Sequence, residues 1–217
     1  MNIKDFFDNN YKKCEYYWWK NDNRFSTDET EHTPYYSMIL RSAKDIGTGR
    51  ALDIGAGEGA DSIRLAKLGF IVDSVEISDV AVEKIELLAE ANNVTINVSC
   101  SDITSYNFEY DYDIIMINGV LHYLDEVSKI DILTKVVSHT KIGGICCISL
   151  FSTASPVPEC HKVVSVYPDN ENGLVESFFS DWTMLFKSYE RNKQETSHTE
   201  MTPHVHSFIK FIARRAK

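Results

Sequence analysis

The apolar run Ala51-Leu52-Asp53-Ile54 leads directly into Gly55-Ala56-Gly57-Glu58-Gly59, three glycines in five residues, and then into a helix-forming segment over 59–68. A buried strand that ends in a glycine turn and restarts as a helix is the opening unit of a parallel α/β sheet. Glycine lets the backbone turn tightly and lets a ligand come close to it, while the helix start offers N–H groups with no partner inside the helix. The alternation continues downstream. The pattern predicts strands over 70–77, 95–100, 113–118 and 145–151, with helices over 80–91 and 124–138 between them. The connections are as short as crossover units require. Two more strands, over 182–190 and 205–213, are expected as a hairpin-like pair at the sheet edge.

The flanks follow a different rhythm. Tyr11, Tyr16, Tyr17, Trp18, Trp19, Tyr35 and Tyr36 crowd the first segment, which reads as two short helices and a loop. We divide the chain into an N-terminal helical segment, 1–45, that serves as a lid or substrate wall, and a ligand-binding domain over 46–217. Within that domain 155–180 is an insertion, where Pro156, Pro158 and Pro168 interrupt the periodicity and a loop or lid is expected.

Composition narrows the partners. The formal net charge of −10 repels phosphate backbones, and the only basic run is Arg214-Arg215, so nucleic acid is disfavoured and a small molecule is expected. Cys14, Cys100, Cys146, Cys147 and Cys160 form no C-x-x-C pair, which points to reduced structural thiols. No apolar run approaches the roughly 20 residues that span a bilayer, and the first residues lack the basic-then-apolar order of a secretory signal. These features predict a cytoplasmic protein with no membrane contact, a monomer or homodimer.

Four features fall at the carboxyl ends of successive strands, where open α/β sheets bind ligands. The first is the glycine turn, spaced G-x-G-x-G rather than the G-x-G-x-x-G of pyrophosphate-binding folds, with Asp53 two residues before its first glycine. A carboxylate there repels pyrophosphate and suits a cation. The second is Glu76, 17 residues past Gly59, placed to accept both hydroxyls of a ribose. The third is Asp102 with Ile103, suited to an adenine amino group and ring nitrogen. The fourth is Asn118-Gly119-Val120-Leu121-His122.

Together these residues resemble class I S-adenosyl-L-methionine (SAM)-dependent methyltransferases, over about 50–151. More loosely, the chain is similar to the small tellurite-resistance or thiopurine-type and natural-product methyltransferases. The resemblance implies a Rossmann-like, doubly wound, mostly parallel seven-stranded sheet with helices on both faces. It also implies SAM as cofactor: Asp53, Gly55, Ala56 and Gly57 form its loop, Glu76 and Ile77 meet the ribose, Asp102 and Ile103 read adenine, and Asn118 places the methionine end. No N-P-P-Y-like motif follows the fourth strand, which removes the usual sign of base or amide nitrogen methylation. The expected activity is methyl transfer to an O, N or S atom of a small molecule. A SAM-binding protein without methyl transfer is the alternative, and a nicotinamide-dependent oxidoreductase is disfavoured by the glycine spacing.

Acceptor residues should come from the variable parts. Tyr17, Trp18 and Arg24 are candidates in the N-terminal segment, aromatic to shape a pocket and basic to hold an anion. His32 and His122 are candidates for a base or a positioning group. In the tail, His204 and His206 share one face of a strand with period two and are candidates for acceptor binding. No metal is expected, because methyl transfer does not require one and no matching ligand cluster for these histidines appears elsewhere in the chain.

Overall fold

The structure is a computed structural model that describes residues 1–17, 22–195 and 204–216. Trp18 and Trp19 lie outside the described residues. In chain order the elements are α1 (Ile3–Lys12), α2 (Pro34–Ile46), β1 (Arg50–Ile54), α3 (Ala60–Lys67), β2 (Ile71–Glu76), α4 (Asp79–Ala91), β3 (Asn97–Cys100), β4 (Tyr112–Asn118), α5 (Glu126–His139), β5 (Thr140–Phe151), α6 (Leu174–Ser177), β6 (Thr183–Glu195) and β7 (His204–Arg214). Short 3-10 turns punctuate the connections. Among the described residues no helix is long and apolar enough to cross a membrane.

Local chemistry sets the helix starts. Pro34 opens α2, where its missing N–H costs nothing. The Ser78 hydroxyl accepts from Ala81 N–H to cap α4, and the Asp125 carboxylate accepts from Ser128 N–H to cap α5. The cap of α3 is Gly59, in the left-handed region at φ 78°. A Cβ there would lie 2.9 Å from Ile85 of α4, so the third glycine of the turn serves close helix packing.

The strands form one seven-stranded sheet in the order β3-β2-β1-β4-β5-β7-β6. The pairs from β3 through β5 are parallel, while β7 is antiparallel to both β5 and β6. The sheet is therefore mixed, which corrects the expectation of a mostly parallel one. The reason is the expected hairpin itself, whose returning strand inserts between β5 and β6 instead of adding at the rim.

Strand residues alternate between two cores, so both faces are covered. Leu52, Ile115, Ile117 and Ile148 pack on one face with Ile132, Leu133 and Val136 of α5. Ala51, Ile114, Met116 and Cys147 pack on the other with Tyr35, Ile39 and Ala43 of α2 and Leu65 of α3. That double burial is why the central strands read as continuous apolar runs. A third cluster joins Phe6, Phe7, Tyr11 and Tyr17 of the N-terminal segment to Ala81 of α4.

The insertion divides into two parts. Its first half runs irregularly and is tied back by Tyr167 N–H on the His122 carbonyl and Asp169 N–H on the Phe151 carbonyl. Its second half is scaffold: Val175 and Phe179 are buried in the main core beside Trp182.

Candidate functional site

A cavity of about 580 Å³ opens above the carboxyl ends of β1, β2 and β4. The crossovers from β1 lead to β2 on one side and, through later elements, to β4 on the other, which makes this the switch point where open α/β sheets hold ligands. Gly55, Ala56, Gly57, Asp53, Glu76, Ile77, Asp102, Ile103 and Asn118 all line it. The sequence features from four strand ends are thus brought to one wall.

The glycine turn is tied to β2. Gly55 and Ala56 N–H both donate to the Val75 carbonyl, at 2.8 and 3.1 Å. Gly57 N–H donates to Glu76 Oε2 at 2.8 Å, and Ser78 N–H donates to Oε1 at 3.0 Å. Glu76 is buried, and burial raises its pKa even though these backbone donors pull it down. Each carboxylate oxygen accepts one backbone bond and keeps a second lone pair for a ligand.

Asp53 is also buried, with Ser62 Oγ donating to its Oδ2 at 2.6 Å. Burial and the neighbouring Asp61 carboxylate push its pKa up to about 7. Asp61 itself pairs with Arg64 and accepts from Asn118 Nδ2 at 2.9 Å. Asn118 Oδ1 in turn accepts from the Tyr35 hydroxyl at 2.8 Å. These bonds fix the amide so that its orientation is set from two sides. Among the described residues Asp53 and Glu76 have no ion-pair partner, so a buried concentration of negative charge faces the cavity, a setting that favours a cationic ligand.

Asp102 is exposed and accepts from Thr104 N–H and hydroxyl through Oδ1, at 2.9 and 2.8 Å. That turn holds the carboxylate on the cavity rim with Oδ2 remaining for a ligand amino group.

Aromatic rings and histidines form the far wall. His122 stacks on Phe151 with centroids 3.8 Å apart, and Phe151 stacks on His206 at 4.5 Å. His122 Nδ1 accepts from Phe151 N–H at 3.2 Å, which leaves the ring proton on Nε2. Burial, with a contribution from His161, holds its pKa well below the ordinary histidine value. The nitrogen that would take up a second proton, Nδ1, is already engaged by the Phe151 N–H. Of the two roles expected at His122, base or positioning group, this setting favours positioning. Its ring nitrogens should show no protonation shift between pH 5 and 8 by nitrogen-15 NMR. Because the unfolded chain takes up this proton first, His122 contributes stability at neutral pH that is lost as pH falls below about 6.5.

The remaining expected residues divide. Arg24 and His206 line the cavity, and the Arg24 guanidinium lies 3.6 Å over the Tyr16 ring. Tyr17 does not line it. It packs in the α1 cluster, and its N–H donates to both oxygens of Glu58 at 2.9 and 2.8 Å. His32 also stands off the wall, with Nε2 3.0 Å from the Ser26 carbonyl. His204 sits behind His206, their Nε2 atoms 2.7 Å apart. Trp18 lies outside the described residues.

Sequence reasoning missed Asp61, Tyr35 and Tyr36, all on the cavity wall. Asp61 was detectable as the second residue of the helix that follows the glycine turn. The tyrosines carried no positional signal, since α2 reaches the site only by packing under β1 and β4. It also missed Cys160 and His161, which the insertion brings to His204. The statement that no ligand set accompanies the tail histidines is corrected accordingly.

Comparison with known proteins places this arrangement. The family described as Tellurite resistance protein TehB matches residues 17–208. The chain is 26% identical over 168 residues to a protein of Haemophilus influenzae described as probable S-adenosyl-L-methionine-dependent methyltransferase TehB, covering 77% of this chain and 57% of that relative. It thus spans little more than half of that relative's length. The crystal structure of TehB from Haemophilus influenzae superposes with a TM-score of 0.72 at 23% identity, covering 89% of this chain and 66% of that one. N-methyltransferase NodS from Bradyrhizobium japonicum, solved in complex with S-adenosyl-L-homocysteine, gives 0.62 at 16% identity, covering 97% and 99% of the two chains. At these identities the structural likeness is one of fold.

Proposed function

Since the chain belongs to the TehB family and has the fold of class I SAM-dependent methyltransferases, we propose that it moves the methyl group of SAM to an O, N or S atom of a small molecule. The observation that carries this reading is the pair of buried carboxylates, Asp53 and Glu76, flanking a glycine turn, neither with an ion-pair partner among the described residues. The chemistry supplied by bound SAM is a methyl group on a cationic sulfur, transferred by in-line displacement.

In this reading each residue acts on the ligand through atoms already oriented. Asp53 and Asp61 hold the cationic methionine end, with Asn118 aligned by Tyr35 and Asp61. Glu76 accepts the ribose hydroxyls through its remaining lone pairs. Asp102 and the Ile103 N–H read the adenine edge. His122, Phe151, His206 and Arg24 wall the acceptor end, and they align the acceptor and exclude water rather than shuttle protons.

A methyl-release assay over a panel of small hydroxyl, amine and thiol acceptors tests the activity. Calorimetric titration with SAM, S-adenosyl-L-homocysteine and NAD tests the cofactor, with binding expected only for the first two. Turnover of no acceptor despite SAM binding would leave a SAM-binding protein in its place.

Glu76→Ala is expected to weaken SAM by about 1.5 to 3 kcal/mol, the range for hydrogen bonds to a charged group. The 2′-deoxy analogue of SAM discriminates the cause. Wild type should bind it less well than SAM, whereas Glu76→Ala should hardly distinguish the two. Equal discrimination by both proteins rejects the ribose role.

Within segment 1–45, the part before α2 acts as a lid in this scheme. Ile3, Phe7, Tyr11 and Tyr16 line the cavity, yet the described residues of the segment contribute no strand to the sheet, and lids belong to the less stable parts of a fold. Amide exchange should therefore slow in peptides covering 11–17 and 22–33 when S-adenosyl-L-homocysteine is added. Protection equal to that of the central strands before addition would make the segment fixed scaffold.

A further inference from the structure

Behind the acceptor wall, Cys160 and His161 come from the 3-10 turn Glu159–His161, and His204 from the start of β7. The Cys160 thiol and one ring nitrogen from each histidine lie within 4.8 Å of one another. Nothing in methyl transfer calls for such a cluster. We propose that Cys160, His161 and His204 bind one divalent cation of the zinc class, leaving the fourth coordination position open toward the cavity.

The donor set selects the ion. One thiolate with two imidazoles suits borderline-soft metals, whereas magnesium and calcium require oxygen ligands. In a tetrahedral site with bonds of about 2.0 to 2.3 Å, ligand atoms stand about 3.3 to 3.8 Å apart. Cys160 Sγ is 3.8 Å from His204 Nδ1, so that pair is already at ligating separation.

The surroundings of the two rings support the same assignment. A metal-bound histidine directs its other nitrogen to a hydrogen-bond partner, which fixes the tautomer and the ring. His204 Nε2 faces His206 Nε2 at 2.7 Å, so Nδ1 is the ligand and Nε2–H the donor. His161 Nδ1 faces the Tyr123 hydroxyl at 3.0 Å, so its Nε2 is the ligand. Both outer partners are thus in place. With His206 Nε2 engaged by His204 Nε2, the described residues offer three ligands, Cys160, His161 and His204. Three protein ligands and one open position mark zinc sites that bind water or a substrate atom rather than purely structural ones. His161 and His206 also line the cavity, which gives the open position its direction.

The test uses the full chain without affinity-tag histidines, stripped of metal with a chelator and titrated with Co2+ and Zn2+. Co2+ should produce a near-ultraviolet thiolate-to-cobalt charge-transfer band that saturates at one ion per chain and is displaced by Zn2+. Cys160→Ser should abolish the band. Both Cys160→Ser and His204→Gln should weaken Zn2+ by at least about tenfold in competition with a chromophoric chelator, as loss of a ligand or its orienting partner does. Cys100→Ser, at a thiol on the exposed end of β3, should leave band and affinity unchanged. Titration of each variant with S-adenosyl-L-homocysteine confirms that it is folded and keeps the two readings separate. No band in the parent overturns the site, as does a band that survives in Cys160→Ser or disappears in Cys100→Ser. Parental Zn2+ affinity in His204→Gln does the same.

Discussion

Gly55→Val is expected to abolish cofactor binding in a protein that still folds. Gly55 sits in the left-handed region at φ 66°, and a Cβ there would lie 2.2 Å from Val120 Cγ2. The backbone term is about 1 to 2 kcal/mol for an L-residue in that region. Overpacking against Val120 adds about 1 to 3 kcal/mol. The turn is fastened to β2 through Gly55 and Ala56 N–H on the Val75 carbonyl, so it relieves the overlap by moving toward the cavity that Val120 also lines. For a chain of this size each kcal/mol lowers Tm by about 2 to 4 °C, a loss the fold survives. Gly47→Ala is the control, because Gly47 has φ 89° and open space around its Cβ position. It should show the backbone cost alone and bind normally. Calorimetry with S-adenosyl-L-homocysteine should give no heat for folded Gly55→Val, and a wild-type dissociation constant would remove the turn from the site.

Asp53→Asn should weaken SAM by about 100-fold at pH 8, the upper part of the range for a hydrogen bond to a charged group. In wild type, affinity should rise with pH through about 7, the value to which burial and Asp61 push this carboxyl. Below it the group is neutral and a poor partner for a cation, so binding at pH 6 must expel a proton. Calorimetry in two buffers of different ionisation enthalpy should detect that proton for wild type and not for Asp53→Asn. The free protein shows the opposite sign. A folded pKa raised above the unfolded one gives stability that is fully present below about pH 4 and lost as pH rises through about 7. Asp53→Asn removes that loss, so the variant should melt higher than wild type at pH 8 without ligand. Affinity that is flat from pH 6 to 8 in wild type would sink the assignment.

The parts of this site that the sequence exposed are those tied to one periodic pattern. Asp53, Gly55, Glu76, Asp102 and Asn118 occupy strand ends, and strand ends follow from apolar runs and glycine turns. The strand–helix order from β1 to β5 was legible for the same reason. Asp61 belongs to a helix whose first turn points back into the site, a direction that strand reasoning does not supply. Tyr35 and Tyr36 arrive through α2, which precedes the sheet in the chain yet packs beneath its centre. Cys160 and His161 were hidden more deeply, because an aperiodic segment gives no register until something holds it. Here the bonds from Tyr167 to His122 and from Asp169 to Phe151 hold it. His122 could be placed near the cavity, but its choice between base and positioning group stayed open, since the state of its ring depends on a backbone N–H from β5 that no local pattern announces.

The insertion of β7 between β5 and β6 has an evolutionary reading. Along β7, His206, Phe208 and Lys210 face the cavity, while the alternate residues Ile209 and Phe211 are buried in the core. Two strands clamp this one on either side, so its backbone holds its course whatever the outward side chains are. Phe208 and Lys210 can then drift while His206 keeps its partners, recolouring the wall that meets the acceptor, with the glycine turn and its carboxylates two strands or more away. A lineage descending from such a chain can try new acceptors one position at a time without relearning how to fold.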